Sequence, residues 1–275
     1  MAILHHDKEK SKSILTMKIR KVTLSVLFIL ISNLIIAQNN SWKKIDKVQK
    51  NIKNITYTFP AEVNKKDREI YVQLCEKSLK ENLEILKETE FLNKMDIEFL
   101  NSRYEMQKYT GLPAQGRAMY QSNAMFSLMT KNSPIKHELM HMIATYKWGD
   151  SADYWIDEGL ATYSGGTCSN YSLEEIYIYY IQSGKLIPIT SLTSDDFLKY
   201  NDMITYTQSA YIIEYLLKNH GHDKFKSLWK EGVANFNKIY EFSLEDLENR
   251  INTELKIKYP KNIEFNWEEF NKGCQ

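Results

Sequence analysis

Cysteine is nearly absent from this chain: Cys75, Cys168 and Cys274 are the whole complement in 275 residues. Three scattered thiols exclude a cysteine-built metal cluster. In an oxidising compartment one pair can join and leave one thiol free; Cys168 with Cys274 is one such pair, and spacing alone does not choose it. Charge of one sign is missing too. Lys and Arg number 36 against 35 Asp and Glu, a net +1 with no long run of either sign, so nothing points to nucleic acid as a partner. Internal repeats and low-complexity linkers are absent, which leaves the C-terminal half as a helical lobe on the same domain. Histidine is scarce, six residues in all, so where the histidines stand carries weight.

What is present suffices for a core: 43% of residues are hydrophobic and 12% aromatic, enough for one large domain or two small lobes. The first 37 residues read as an export signal. Lys18, Arg20 and Lys21 precede an apolar run from Val22 to Ala37, broken only by small polar residues, with cleavage expected after Ala37. Met17 begins such a signal by itself, so residues 1–16 are an extended basic region or an upstream start. The competing reading is an uncleaved anchor at residues 22–37, a run short of the roughly 20 residues of a comfortable span. The protein is thus expected to be exported, secreted or periplasmic, and to meet a membrane only through an uncleaved leader. Without residues 1–37 the net charge becomes −3 and the histidines that remain are His137, His141, His220 and His222.

Residues 38–275 are expected to form the working domain, with an N-terminal lobe at about 42–149 and a helical lobe at about 150–275. Ile55 to Phe59 alternates and reads as an edge strand stopped by Pro60. From Lys65 to Thr89, Ile70, Leu74, Leu79, Leu83 and Leu86 recur at helical spacing. Met95 to Leu100 alternates as a strand, and Tyr104 to Gln115, with Gly111 and Pro113, reads as loop. Two short strands, Arg117 to Tyr120 and Ala124 to Met129, meet at Ser122-Asn123. Helices fit Leu173 to Gln182, Met203 to Asn219, His222 to Val233 and Ser243 to Thr253. The fold class is therefore α+β: a small lobe with a short mixed or antiparallel sheet, a helical lobe, and the helix of His137 and His141 between them.

That helix carries the chemistry. His137-Glu138-Leu139-Met140-His141 is H-E-x-x-H. At about 100° per residue, two histidines four apart stack one turn above the other and aim two imidazoles at one point. A zinc ion fits that point, and Glu138 on the flank of the same face can reach a water beside it without being a ligand. Leu139, Met140, Met142 and Ile143 would bury the rest, and Ser133-Pro134 reads as a cap followed by proline at the first helical position. Two histidines are not enough for a catalytic zinc, which takes three protein ligands and an open fourth position. Glu158 is the candidate for the third, far enough on for a loop and a returning helix, with Gly159 allowing that helix to come close. Of the other histidines, His220 and His222 flank Gly221 and read as surface residues.

H-E-x-x-H followed by Trp155-Ile156-Asp157-Glu158-Gly159-Leu160-Ala161 resembles the gluzincin metallopeptidases, the thermolysin-like and aminopeptidase N-like superfamily, whose signature is H-E-x-x-H with a downstream W-x-[ND]-E-G-[FL]-A. Ile204 to Leu216 is similar to the aminopeptidase N segment T-Y-x-K-G-A and its apolar continuation. The resemblance implies one zinc per chain on His137, His141 and Glu158, Glu138 as general base, and Tyr206 as the hydroxyl that supports the oxyanion. It implies a peptide or protein substrate. The motif with which aminopeptidases hold a substrate's amino terminus is matched only faintly, at Gly116 to Tyr120, so exopeptidase action is not implied. Where the family often has a carboxylate orienting a histidine, four residues past the ligand glutamate, Thr162 stands here; Asp157 is the substitute for that support, or else a cap or a solvent-facing residue. The alternative function is an exported binding or scaffold protein that keeps the fold without turnover, a reading that leaves Glu138 without a purpose.

Overall fold

A computed structural model describes residues 46–167 and 169–273; the export signal and the Cys168–Cys274 pairing lie outside them. From Lys47 onward the chain is one compact unit. It begins with a hairpin, β1 (Lys47–Ile52) and β2 (Ile55–Pro60), followed by α1 (Lys65–Leu86), β3 (Met95–Leu100), α2 (Arg103–Thr110), β4 (Gly116–Met119) and β5 (Ala124–Leu128). The sheet order is β1-β2-β3-β5-β4. Its two end pairs are antiparallel, whereas β2 with β3 and β3 with β5 are parallel. The sheet is thus mixed, and the α+β expectation holds.

Three local expectations change. Ile55 to Phe59 is an interior strand, because lysine-rich β1 covers its outer side and takes the edge. Second, Tyr104 to Gln115 is not loop throughout: Ser102 caps α2 by accepting the Glu105 amide, and Gly111 closes it at φ +81°. Only Met106 of that helix is buried, so no apolar period announced it. Third, α1 buries only part of the expected stripe: Leu83 and Leu86 are in the core and Leu79 packs against it, but not Ile70 and Leu74. Ile70 and Leu74 are 50% and 39% exposed, while Val72, Cys75, Ser78, Asn82, Leu83 and Leu86 face inward. The free thiol of Cys75 is in that core, and burial pushes it well up from its ordinary value.

The second half is helical: α3 (Ile135–Trp148), α4 (Tyr154–Gly165), α5 (Leu173–Ser183), α6 (Asp202–His220), α7 (His222–Glu231) and α8 (Leu244–Lys258), with single turns at 189–192, 236–240 and 267–270. Among the described residues no helix is long and apolar enough to cross a membrane. Leu139, Met140, Met142, Ile143 and Ala144 are all fully buried, so α3 lies at the centre of the core apart from the face of His137, Glu138 and His141. It packs against α1 on one side and α4 on the other, and α4 in turn packs against α6. Pro134, not Ser133, precedes the first turn of α3 and makes no side-chain cap; the Ser133 hydroxyl is spent on Ser127 at 2.8 Å.

A buried amide fixes the start of α3. Asn82 of α1 donates to the Lys136 carbonyl at 2.9 Å, and the Ser164 hydroxyl of α4 donates to the Asn82 oxygen. Three helices are thereby tied next to His137. His220 and His222 are distant from this point: His222 meets the Ile85 carbonyl at 2.7 Å and stands edge-on to Trp148, while His220 packs against Tyr240 and Phe242. They serve packing at helix ends.

Candidate metal centre

The two imidazoles of α3 do converge. His137 Nε2 and His141 Nε2 are 3.1 Å apart, and a carboxylate oxygen of Glu158, Oε2, lies 3.3 Å from the first and 3.5 Å from the second. Ligands about 2.0–2.1 Å from a tetrahedral ion stand about 3.3–3.4 Å from one another. The triangle therefore has the dimensions that zinc requires. Two nitrogens and one oxygen on its corners suit that ion, and a fourth corner remains for water or substrate. Among the described residues these three form the candidate metal-holding group.

Glu158 reaches the site because α4 returns antiparallel to α3 and presents one face to it. The glycine that permits this approach is Gly165, where an added Cβ would stand 3.1 Å from the His137 Cβ. Gly159 has another role, admitting α6: its added Cβ would meet Ser209 and Ile213 at 3.0 Å. Burial alone would raise the Glu158 carboxyl, but the two histidines beside it outweigh burial and hold it well below the usual carboxylate range. A carboxylate kept ionised in a buried pocket is what a cation-binding position needs.

Asp157 supports the centre, and neither caps the helix nor faces solvent. Its Oδ1 accepts from His141 Nδ1 at 2.7 Å, and its Oδ2 accepts from the Tyr120 hydroxyl at 3.2 Å. Because a carboxylate only accepts, Nδ1 of His141 carries a proton, which leaves Nε2 as the nitrogen that would give its lone pair to a metal. Against burial, which would lower it, the charges of Asp157 and Glu158 raise the His141 pKa well above its ordinary value. Asp157→Ala is expected to weaken zinc binding about 10- to 100-fold while leaving the fold intact, as judged by competition with a chromogenic chelator. An unchanged affinity would remove Asp157 from the design of the centre.

Glu138 lies on the flank, 8% exposed. Burial pushes its carboxyl up, the two histidines oppose that, and the Ala118 amide hydrogen-bonds it. That amide belongs to β4, which passes directly over the side chain. A Cβ on Gly116 would sit 2.6 Å from both Glu138 Cγ and Pro134 Cγ, and 2.7 Å from Glu138 Oε1. Gly116→Ala should therefore displace the Glu138 carboxylate. We expect a stability loss of about 1–3 kcal/mol in urea denaturation together with reduced turnover; a variant equal to wild type in both would show that β4 yields freely. The strand with an open edge here is β4, whereas β5, which leads into α3, is paired on both sides.

Tyr206, in the second turn of α6, is also at the centre. Its ring lies over that of His137 with centroids 6.4 Å apart and planes 23° from parallel. Its hydroxyl is 3.2 Å from that of Tyr154. Tyr120 and Tyr154 are the site residues that sequence reasoning did not single out. Each is one tyrosine among eighteen, and their partners lie 37 and 52 residues away in the chain. Thr162 is buried with no partner for its hydroxyl.

Two histidines one turn apart on a helix, a glutamate from the next helix, and a second glutamate beside them define a centre of the gluzincin type. In agreement, residues 124–257 match the family model described as the Peptidase MA superfamily, and the resemblance read from the motifs holds. No curated protein matches the sequence. Among solved structures, native yeast LTA4 hydrolase aligns at 16% identity and a TM-score of 0.42, over 82% of this chain and 39% of that one. The same yeast enzyme in complex with bestatin gives 15% and 0.41 over the same shares. An M1 zinc metallopeptidase from Deinococcus radiodurans gives 13% and 0.39, over 77% of this chain and 50% of that one. The chain thus spans about two fifths of the yeast protein's length and half of the bacterial one's.

Proposed function

We propose that this protein is a zinc-dependent metallopeptidase that hydrolyses peptide bonds in an exported setting. The observation that carries the reading is the triangle of His137, His141 and Glu158 donor atoms, 3.1–3.5 Å on an edge, with a second glutamate, Glu138, buried next to it and outside the donor set. Zinc held there would supply a Lewis acid and lower the pKa of water from 15.7 to about 7. The remaining tasks fall to the chain. Glu138 takes the proton of the attacking water and later returns it to the leaving amine; its burial moves its pKa in the direction a base working near neutrality needs. Tyr206, whose phenol is pushed well above its ordinary range by burial and by the Glu158 charge, stays protonated and donates to the oxyanion. His141 is held in its tautomer by Asp157. The open edge of β4 offers backbone groups to an extended substrate beside Glu138.

Zinc analysis alongside a peptide-library digest tests the reading. We expect one zinc per chain and cleavage that a chelator abolishes. Stoichiometric zinc with no cleaved peptide would favour the binding or scaffold alternative. Export through residues 1–37 is part of the proposal, and an exported product beginning at Gln38 is its expected signature.

A further inference from the structure

Tyr154 opens the helix that carries Glu158, and burial together with the Glu158 charge pushes its phenol well up from its ordinary value. Its hydroxyl lies 3.2 Å from the Tyr206 hydroxyl, and the two phenols come from different helices, α4 and α6. Phe197, 3% exposed, backs both rings, with centroids 5.4 Å from Tyr154 and 5.7 Å from Tyr206. Tyr154 itself is 47% exposed, so one side of its ring is packed and the other faces solvent. A phenol hydroxyl turns freely about its C–O bond, and a donor that must point at one place gains from a neighbour that removes the alternatives.

We infer that Tyr154 is a positioning residue for Tyr206: its hydroxyl donates to Tyr206 Oη and so turns the Tyr206 proton toward the oxyanion of the scissile carbonyl. The inference rests on the peptidase reading above. Before substrate arrives either hydroxyl can donate to the other. Once the Tyr206 hydroxyl donates its hydrogen bond to the oxyanion, its oxygen is left as an acceptor, and the Tyr154 hydroxyl lies at hydrogen-bond distance to donate to it. Donors in series polarise one another, so the bond from Tyr206 strengthens as charge develops. A residue that only packed against Phe197 would need no hydroxyl, and that difference can be measured.

The test is a double-mutant cycle on the full-length, zinc-loaded protein: wild type, Tyr154→Phe, Tyr206→Phe and both. Phenylalanine keeps each ring and its packing. We expect zinc content, melting temperature and the KM for a fluorogenic peptide to be unchanged in Tyr154→Phe, while kcat falls about tenfold, the loss of one net hydrogen bond. Tyr206→Phe should lose about 10²- to 10³-fold, and the double variant should lose no more than Tyr206→Phe alone. Independently of turnover, a phosphinic pseudodipeptide of phenylalanine and leucine, whose tetrahedral phosphorus oxygens mimic the intermediate, should bind Tyr154→Phe about tenfold more weakly. Multiplicative losses in the double variant, an unchanged kcat, or altered zinc content in Tyr154→Phe would overturn the inference and leave the peptidase reading standing. Zinc-loaded wild type that neither cleaves nor binds the phosphinic probe would overturn both.

Discussion

Glu138→Gln is expected to keep its zinc and to lose hydrolysis, with kcat reduced about 10²- to 10⁴-fold. The substitution is nearly isosteric, so the side chain stays under β4 and its amide oxygen can still accept from the Ala118 amide. It cannot take up a proton. Glu138 stands outside the group of donor atoms that would hold the metal, which is why metal content and activity should separate in this variant and in few others. Burial raises the Glu138 carboxyl, so the fold holds a charge there at some cost, and a neutral glutamine should leave the metal-free protein at least as stable as wild type. The measurements are zinc per chain by elemental analysis, kcat on a fluorogenic peptide, and the melting temperature after chelation. Turnover within a factor of about ten of wild type would rule out Glu138 as the base, and zinc lost together with activity would make it a ligand.

Parts of this centre were legible because short-range geometry sets them. The four-residue interval of His137 and His141 means one helix face wherever the helix lies, and Trp155 to Ala161 placed a glutamate on a second helix. The hairpin of β4 and β5 also followed from alternation around Ser122-Asn123. What escaped depends on partners remote in sequence. Ile55 to Phe59 looked like an edge because its sequence says nothing of β1 pairing on one side and β3 on the other. In α1 the buried face keeps Leu83 and Leu86 of the apolar period but also takes polar Ser78 and Asn82, the latter occupied by Lys136 and Ser164. Gly159 stands next to Glu158 in sequence, yet the approach to α3 is made at Gly165, since which glycine faces which helix is a matter of tertiary rotation. Tyr120 and Tyr154 carried no local signal at all. Asp157 was visible as a residue next to Glu158, but its role required the position of His141 Nδ1.

His137→Ala should lose both zinc and hydrolysis, and it is the cleaner of the two histidine deletions. Removing His141 would strand the Asp157 carboxylate, partly buried against α3 with only the Tyr120 hydroxyl left to it, and a partly buried charge without its partner destabilises a fold by itself. His137 faces the Glu158 carboxylate, which keeps His141 at 3.5 Å when His137 is gone, and its side chain is 20% exposed against 7% for His141. Its loss removes one corner of the triangle and the ring that Tyr206 stacks against, and leaves Glu158 paired with His141. With one histidine and one carboxylate remaining, the site falls short of the three protein ligands a catalytic zinc requires. The consequence reaches stability through mass action: zinc at about 1,000 times its Kd adds about 4 kcal/mol to the folded state that binds it. Zinc should therefore raise the melting temperature of wild type and leave that of His137→Ala unmoved, and a chelator should bring the two together. A variant that retains stoichiometric zinc, or a wild type whose melting temperature ignores both zinc and chelator, would mean that the triangle of His137, His141 and Glu158 does not hold the metal.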